Sequence, residues 1–123
     1  SRKLFFISMH NFRELLVWQK SITLVVKIYE LTRKFPDIEK FNLAVQMQRS
    51  GVSIASNIAE GAGRNTNNLF KQFLSHALGS SYELETQIII SNKLSYIESE
   101  SYNMLIKDIT EIQKMISGLS NTL

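Results

Sequence analysis

Four cations stand at a fixed interval early in the chain: Arg13, Lys20, Lys27 and Lys34, each seven residues after the last. On a helix such residues drift only about 20° per step, so they form one file. At 1.5 Å rise per residue the file is about 30 Å long. A row of that length suits a phosphate backbone, which is held by charge rather than read by base edges. A solvated outer face is the plainer alternative for any row of charges. Arg49 and Arg64 belong to the same basic part of the chain and complete the set expected to contact nucleic acid.

Other chemistry finds less support. His10 and His76 are the only histidines, and cysteine is absent. A metal site needs three or four convergent ligands, so no metal is expected. Nothing pairs His76 with a serine and an acid in a recognisable pattern, so no catalytic residue is assigned. Gly61-x-Gly63-Arg64 resembles a phosphate loop only superficially. A true one follows a strand, whereas here a helical pattern precedes it. Asn57 and Glu60 lie three apart and share a helix face. With Arg64 they are expected to form a buried polar corner of structural purpose, since a buried glutamate needs a partner. Trp18 and Tyr29 could stack on bases, but they alternate with Ile22 and Val26 and read as packing residues.

The charge balance agrees with a basic first half. The net charge is +3. Residues 1–71 hold 11 Lys/Arg against 5 Asp/Glu, giving +6, and residues 72–123 hold 3 against 6, giving −3. Such asymmetry points to an anionic partner, although oppositely charged helices packed together would show it too. Hydrophobic residues make up 44% of the chain, which fits a folded core rather than disorder. Lack of cysteine rules out disulfides and suits a cytoplasmic setting. No apolar run is long enough to span a membrane. Residues 1–8 read as a non-native or disordered leader ahead of a start at Met9, leaving 9–123 as one domain.

The elements that must position these residues are all helical. Period-two alternation is absent, and four stretches repeat with helical period. The first is predicted over about 12–34, capped by Asn11 with Glu14 three residues on. Phe35-Pro36 ends it, because proline disfavours helix in the residue before it. The second follows Asp37 as N-cap and runs to about Glu60, with Leu43, Met47, Gly51, Ile54 and Ile58 on one face. Gly61-Ala62-Gly63 is expected to supply a left-handed cap. The third starts near Thr66 or Asn67, buries Phe70, Phe73, Ala77, Ser81, Leu84 and Ile88, and fades around Asn92. The fourth starts after Ser99. Its Tyr102, Leu105, Ile109, Ile112, Ile116, Leu119 and Leu123 alternate three and four apart, a heptad seam. Short connections make neighbours antiparallel, so an all-α, up-down-up-down four-helix bundle is expected.

The first helix has one apolar stripe too many. Leu15, Trp18, Ile22, Val25, Val26 and Tyr29 fall on one side, and Val17, Leu24, Ile28, Leu31 and Phe35 on the other. A helix in a monomeric bundle needs a single stripe, and an uncovered second one invites aggregation. The expectation is that Val17, Leu24, Ile28 and Leu31 form a homo-oligomer interface.

The run Gln46-Met47-Gln48-Arg49-Ser50-Gly51-Val52-Ser53-Ile54-Ala55-Ser56-Asn57-Ile58-Ala59-Glu60-Gly61-Ala62-Gly63-Arg64 closely resembles the four-helix-bundle family of 23S rRNA intervening sequence proteins. Phe12-Arg13-Glu14-Leu15 with Val17-Trp18-Gln19-Lys20 resembles the family's opening. Phe73-Leu74, Ala77-Leu78-Gly79-Ser80 and Glu83-Leu84-Glu85-Thr86-Gln87 resemble its third helix. Departures fall at Ala55, Asn42 and Leu69, where the family often carries proline, glycine and an acidic residue. The resemblance implies a bacterial protein of a family without assigned enzymatic activity, forming ring-shaped oligomers, commonly pentamers. A similar bundle, the accessory protein of diversity-generating retroelements, binds nucleic acid and a reverse transcriptase.

The expected function is therefore a non-enzymatic, oligomeric accessory protein that binds nucleic acid, RNA before DNA, without cofactor or membrane. The alternative is an oligomeric scaffold for a partner protein that makes no contact with nucleic acid.

Overall fold

The computed structural model describes residues 11–123. The expectations placed on residues 1–8, Met9 and His10 lie outside the described residues. Four α-helices follow one another: α1 (Leu16–Thr32), α2 (Leu43–Ala62), α3 (Asn67–Lys93) and α4 (Ser99–Asn121). No strand occurs among the described residues.

Neighbouring helices meet with their numbering reversed. Val25 of α1 lies against Gly51 of α2, and Thr32 accepts a hydrogen bond from Gln48 at 3.0 Å. Met47, Ser53 and Gly61 of α2 meet Ser91, Ser80 and Phe73 of α3. Gln113 of α4 donates to Glu85 of α3 at 2.8 Å, while Asn92 and Ile97 meet across the α3–α4 connection. Lys20 and Lys27 of α1 pair with Glu111 and Asp108 of α4. These contacts close an antiparallel four-helix bundle. Its centre is largely apolar: Ile28, Met47, Ile54, Phe70, Leu84 and Ile109 are among the fully buried side chains. Each such burial is worth about 1.5–3 kcal/mol before entropy is counted.

The heptad of α4 is inside as expected, with Leu105, Ile109, Ile112 and Ile116 buried. Thr66 caps α3 by accepting a hydrogen bond from the Leu69 amide at 3.2 Å. On α3, Leu74 takes the fully buried place expected of Phe73, which is half-buried.

Several boundaries differ from expectation. Residues Phe12–Glu14 form a 3-10 turn, Leu15 is extended, and α1 begins only at Leu16. Asn11 makes no side-chain cap, because the Glu14 and Leu15 amides are satisfied by the backbone carbonyls of Asn11 and Phe12. At the other end α1 stops at Thr32, whose hydroxyl donates to the Ile28 carbonyl. Asp37 does not cap α2. It opens a second 3-10 turn, Asp37–Glu39, and α2 starts at Leu43.

The expected left-handed glycine cap is also absent. Gly63 is right-handed at φ −83°, ψ −4°, and α2 continues through Gly61 and Ala62. Gly61 serves close packing instead: a Cβ there would lie 2.7 Å from Phe73 Cβ and 2.9 Å from Phe70 Cδ1. Among the described residues, left-handed backbone falls at Ser95, at φ 64°. The Ser95 amide donates to the Asn92 carbonyl and the Tyr96 amide to the Ser91 carbonyl, the two bonds that close a Schellman ending for α3.

The α1–α2 and α3–α4 connections meet at one end of the bundle. Phe35 is buried and packs on Tyr96 with ring centroids 5.3 Å apart. The Tyr96 hydroxyl donates to Glu39 Oε2 at 3.0 Å. That hydrogen bond, aided by partial burial and by the carboxylate's charge, raises the Tyr96 pKa above its ordinary value.

Candidate interaction surface

The predicted file of cations is only partly free. Lys20 Nζ lies 2.9 Å from Glu111 Oε1, and Lys27 Nζ lies 2.9 Å from Asp108 Oδ2. Both acids stand on the edge of α4 that faces α1, beside its heptad seam. Arg13 is exposed, with its guanidinium 4.6 Å from the Phe12 ring centroid. It precedes α1, so it does not continue the helical file. Lys34 also falls past the helix end. With Lys27 it lines a groove of about 280 Å³ between α1 and α4, floored by Leu31 and Leu105. Arg49 is exposed on α2.

The two apolar stripes of α1 exist, but the one expected at an oligomer interface faces inward. Val17, Leu24 and Ile28, expected at an oligomer interface, are 0–4% exposed and belong to the subunit's own core. Leu31 is half-buried against the same core. Val17, Leu24 and Ile28 are therefore already covered within the subunit. The opposite stripe points outward, with Ile22, Val26 and Tyr29 at 37%, 50% and 40% exposure. Val52 of α2, 42% exposed, lies on the same side. Trp18, Ile22 and Val52 line an apolar groove of about 280 Å³ between α1 and α2. Val25 departs from its stripe and is buried against Gly51, where a Cβ would stand 2.8 Å from Val25 Cγ2.

The polar corner is not buried. Glu60 and Arg64 have side chains 58% and 45% exposed and form an i, i+4 pair at 3.5 Å. Asn57 turns away from them and donates to the carbonyl and hydroxyl of Ser53 at 2.8 and 3.0 Å. It lies three residues before Glu60 and one turn after Ser53, and its amide reaches back to that turn. Arg64 also covers the Phe73 ring at 4.8 Å. Such an exposed pair contributes about 0–1 kcal/mol, so the corner does not hold the bundle together.

His76 stands on α3 beside Phe73 and lines a shallow polar groove with Ser53, Asn57 and Glu83. No cluster of metal-ligating side chains occurs among the described residues. Among the described residues no helix is long and apolar enough to cross a membrane.

The profile described as 23S rRNA-intervening sequence protein matches residues 13–118. The chain belongs to this family. Comparison with curated proteins finds no match. Among solved structures, the chain is similar to a protein of unknown function from the S23 ribosomal protein family of Bacteroides thetaiotaomicron. The two share 30% identity over 85% of this chain and 98% of that one, with a TM-score of 0.79.

Within the family's matched span lie the features that single-residue inspection overlooked. Val52 sits off the 43–47–51–54–58 core face of α2, and that displacement was the available signal for an outward apolar residue. Asp108 and Glu111 lie three apart and flank Ile109 and Ile112, which marks them as rim residues of a helix–helix seam. Their lysine partners lie about 80–90 residues earlier in the sequence, and no local pattern connects them.

Proposed function

We propose that this member of the 23S rRNA-intervening sequence protein family is a non-enzymatic binding module that self-associates and, once assembled, holds nucleic acid. The observation that carries the reading is the outward stripe of Ile22, Val26, Tyr29 and Val52. Apolar area of this kind on a small protein marks an association surface, and a second copy is the simplest cover. Arg49 lies one turn before Val52 on the outer side of α2, and Arg33, exposed, follows directly on the end of α1. Cations at the border of such a surface repeat around an assembly, so modest sites on each subunit add in avidity. Arg13, Lys34, Arg49 and Arg64 are the expected phosphate contacts, with Lys20 and Lys27 restrained by their carboxylate partners. Contacts of this type touch backbone rather than bases, so weak sequence preference is expected, with RNA favoured over DNA. A cytoplasmic setting is part of the same proposal.

The pairing of Lys20 and Lys27 favours a second reading, an oligomeric scaffold for a protein partner without nucleic acid. Sizing the purified protein with and without nuclease separates the two. A nuclease-resistant oligomer that loses ultraviolet-absorbing material on treatment supports the first, and an oligomer free of nucleic acid supports the second. Val26→Glu with Val52→Glu should give a smaller, fully helical species. Unchanged size in that variant would remove the stripe from the interface.

A further inference from the structure

We infer that the α1–α4 seam is a phosphate-binding groove that the protein keeps occupied with its own carboxylates. The inference rests on the nucleic-acid reading above. Three observations converge on it. Lys20 and Lys27 each meet an α4 carboxylate at 2.9 Å. Those lysines also line a groove of about 240 Å³ together with Thr23, Asp108 and Glu111. The next groove along the seam, lined by Lys27 and Lys34, continues it toward the end of α1.

The spacing explains how the carboxylates act. Seven residues separate the lysines on α1, a rise of about 10.5 Å, whereas three separate the acids on α4, a rise of about 4.5 Å. Two pairs of equal length bridge that mismatch through leaning side chains of one helix or both. Asp108 and Glu111 therefore do two things to the file. They cancel two of its charges, and they tie the two ammonium groups to α4. A phosphate entering the groove must displace both carboxylates, and their own charge repels it until it does. The pairs are partly exposed, with side-chain accessibilities of 33–47%. A ligand can reach them from solvent, and the restraint is one that polyanion binding can overcome.

The test uses the full chain and a labelled single-stranded RNA of mixed sequence at low salt. Asp108→Asn with Glu111→Gln keeps side-chain shape and removes both carboxylate charges. It should bind about three- to tenfold more tightly than the wild type. Its salt slope should steepen by about 1.4 per engaged subunit, the share of two added phosphate contacts on a single strand. Glu83→Gln with Glu100→Gln changes net charge equally, but neither of these acids is paired with lysine among the described residues. That control should gain less than twofold. Adding Lys20→Ala and Lys27→Ala to the seam variant should abolish the gain. Equal gains in seam and control variants would overturn the inference, because only net charge would matter. An unchanged seam variant, alongside a wild type that binds RNA, would also overturn it and leave the nucleic-acid reading intact. If neither wild type nor seam variant binds, the nucleic-acid reading fails and the inference falls with it.

Discussion

Where α2 meets α3, a glycine brings backbone against the Phe70 and Phe73 side chains, and a Ser53–Ser80 hydroxyl pair at 2.8 Å joins the helices about two turns away. Where α1 meets α4, long charged side chains reach across grooves of about 240 and 280 Å³. The first seam closes by shape, and the second is rimmed by charge around a shared apolar centre. Shape is unforgiving of added atoms and indifferent to salt. Charge at the surface is forgiving of substitution and screened by salt. A seam of the second kind can exchange its partners for an outside ligand, which is why the candidate phosphate groove lies there and not between α2 and α3.

The largest expected effect tests the tight seam. Gly61→Ala places a Cβ 2.7 Å from Phe73 Cβ, an atom fixed to its backbone. Overpacking of this kind costs about 1–3 kcal/mol, and alanine's better helix propensity returns at most about 1 kcal/mol. A net loss is expected in urea or thermal unfolding. Gly79→Ala on α3 is the internal contrast. Nothing lies within 4 Å of its added Cβ, so propensity alone acts and stability should rise by about 0.5–1 kcal/mol. Losses of equal sign at both positions would mean that close approach is not what selects glycine at 61.

The open seam should respond less and in a salt-dependent way. Lys27→Met removes one ion pair while keeping most of the side-chain length. The expected loss is under about 1 kcal/mol at low salt. It should vanish near 1 M salt, where the Debye length falls to about 3 Å. A loss that persists at high salt would show that screened charge is not what the substitution removes, and the contrast between the two seams would weaken.

Features that depend on residues within a few turns of each other were legible in the sequence. Leu105, Ile109, Ile112 and Ile116 repeat at heptad spacing, and Thr66 precedes its helix as a cap, because both depend on residues within a few turns of each other. The two stripes of α1 were equally visible, but periodicity says only that two faces exist. Which one turns inward is decided by helices far along the chain, and the Val17–Leu24–Ile28 face won that place. Gly61 looked like a cap because glycine followed helix. Its role depends on Phe70 and Phe73 of the next helix closing against it. Left-handed backbone was sought at a glycine and occurs at Ser95, where two backbone hydrogen bonds hold the turn whatever the side chain. The candidate lysines were found by spacing, while their restraint by Asp108 and Glu111 is a tertiary fact.

The smallest expected effect belongs to the end of the bundle, where both connections meet at Tyr96. Its hydroxyl donates to Glu39, and that bond favours the protonated phenol, with partial burial and the carboxylate's charge acting in the same direction. The folded state therefore holds this proton more tightly than the unfolded chain does. The contribution is fully present below the unfolded value of about 10 and is lost as pH rises through the higher folded value. Tyr96→Phe removes the hydroxyl and leaves the ring against Phe35, so its stability near neutral pH should fall only slightly. Above about pH 10 the wild type should lose stability more steeply than the variant, until the two curves converge. Urea midpoints measured from neutral to alkaline pH would show this. Curves that stay parallel across that range would mean that Glu39 does not hold the Tyr96 proton, and that stacking on Phe35 alone ties the two connections together.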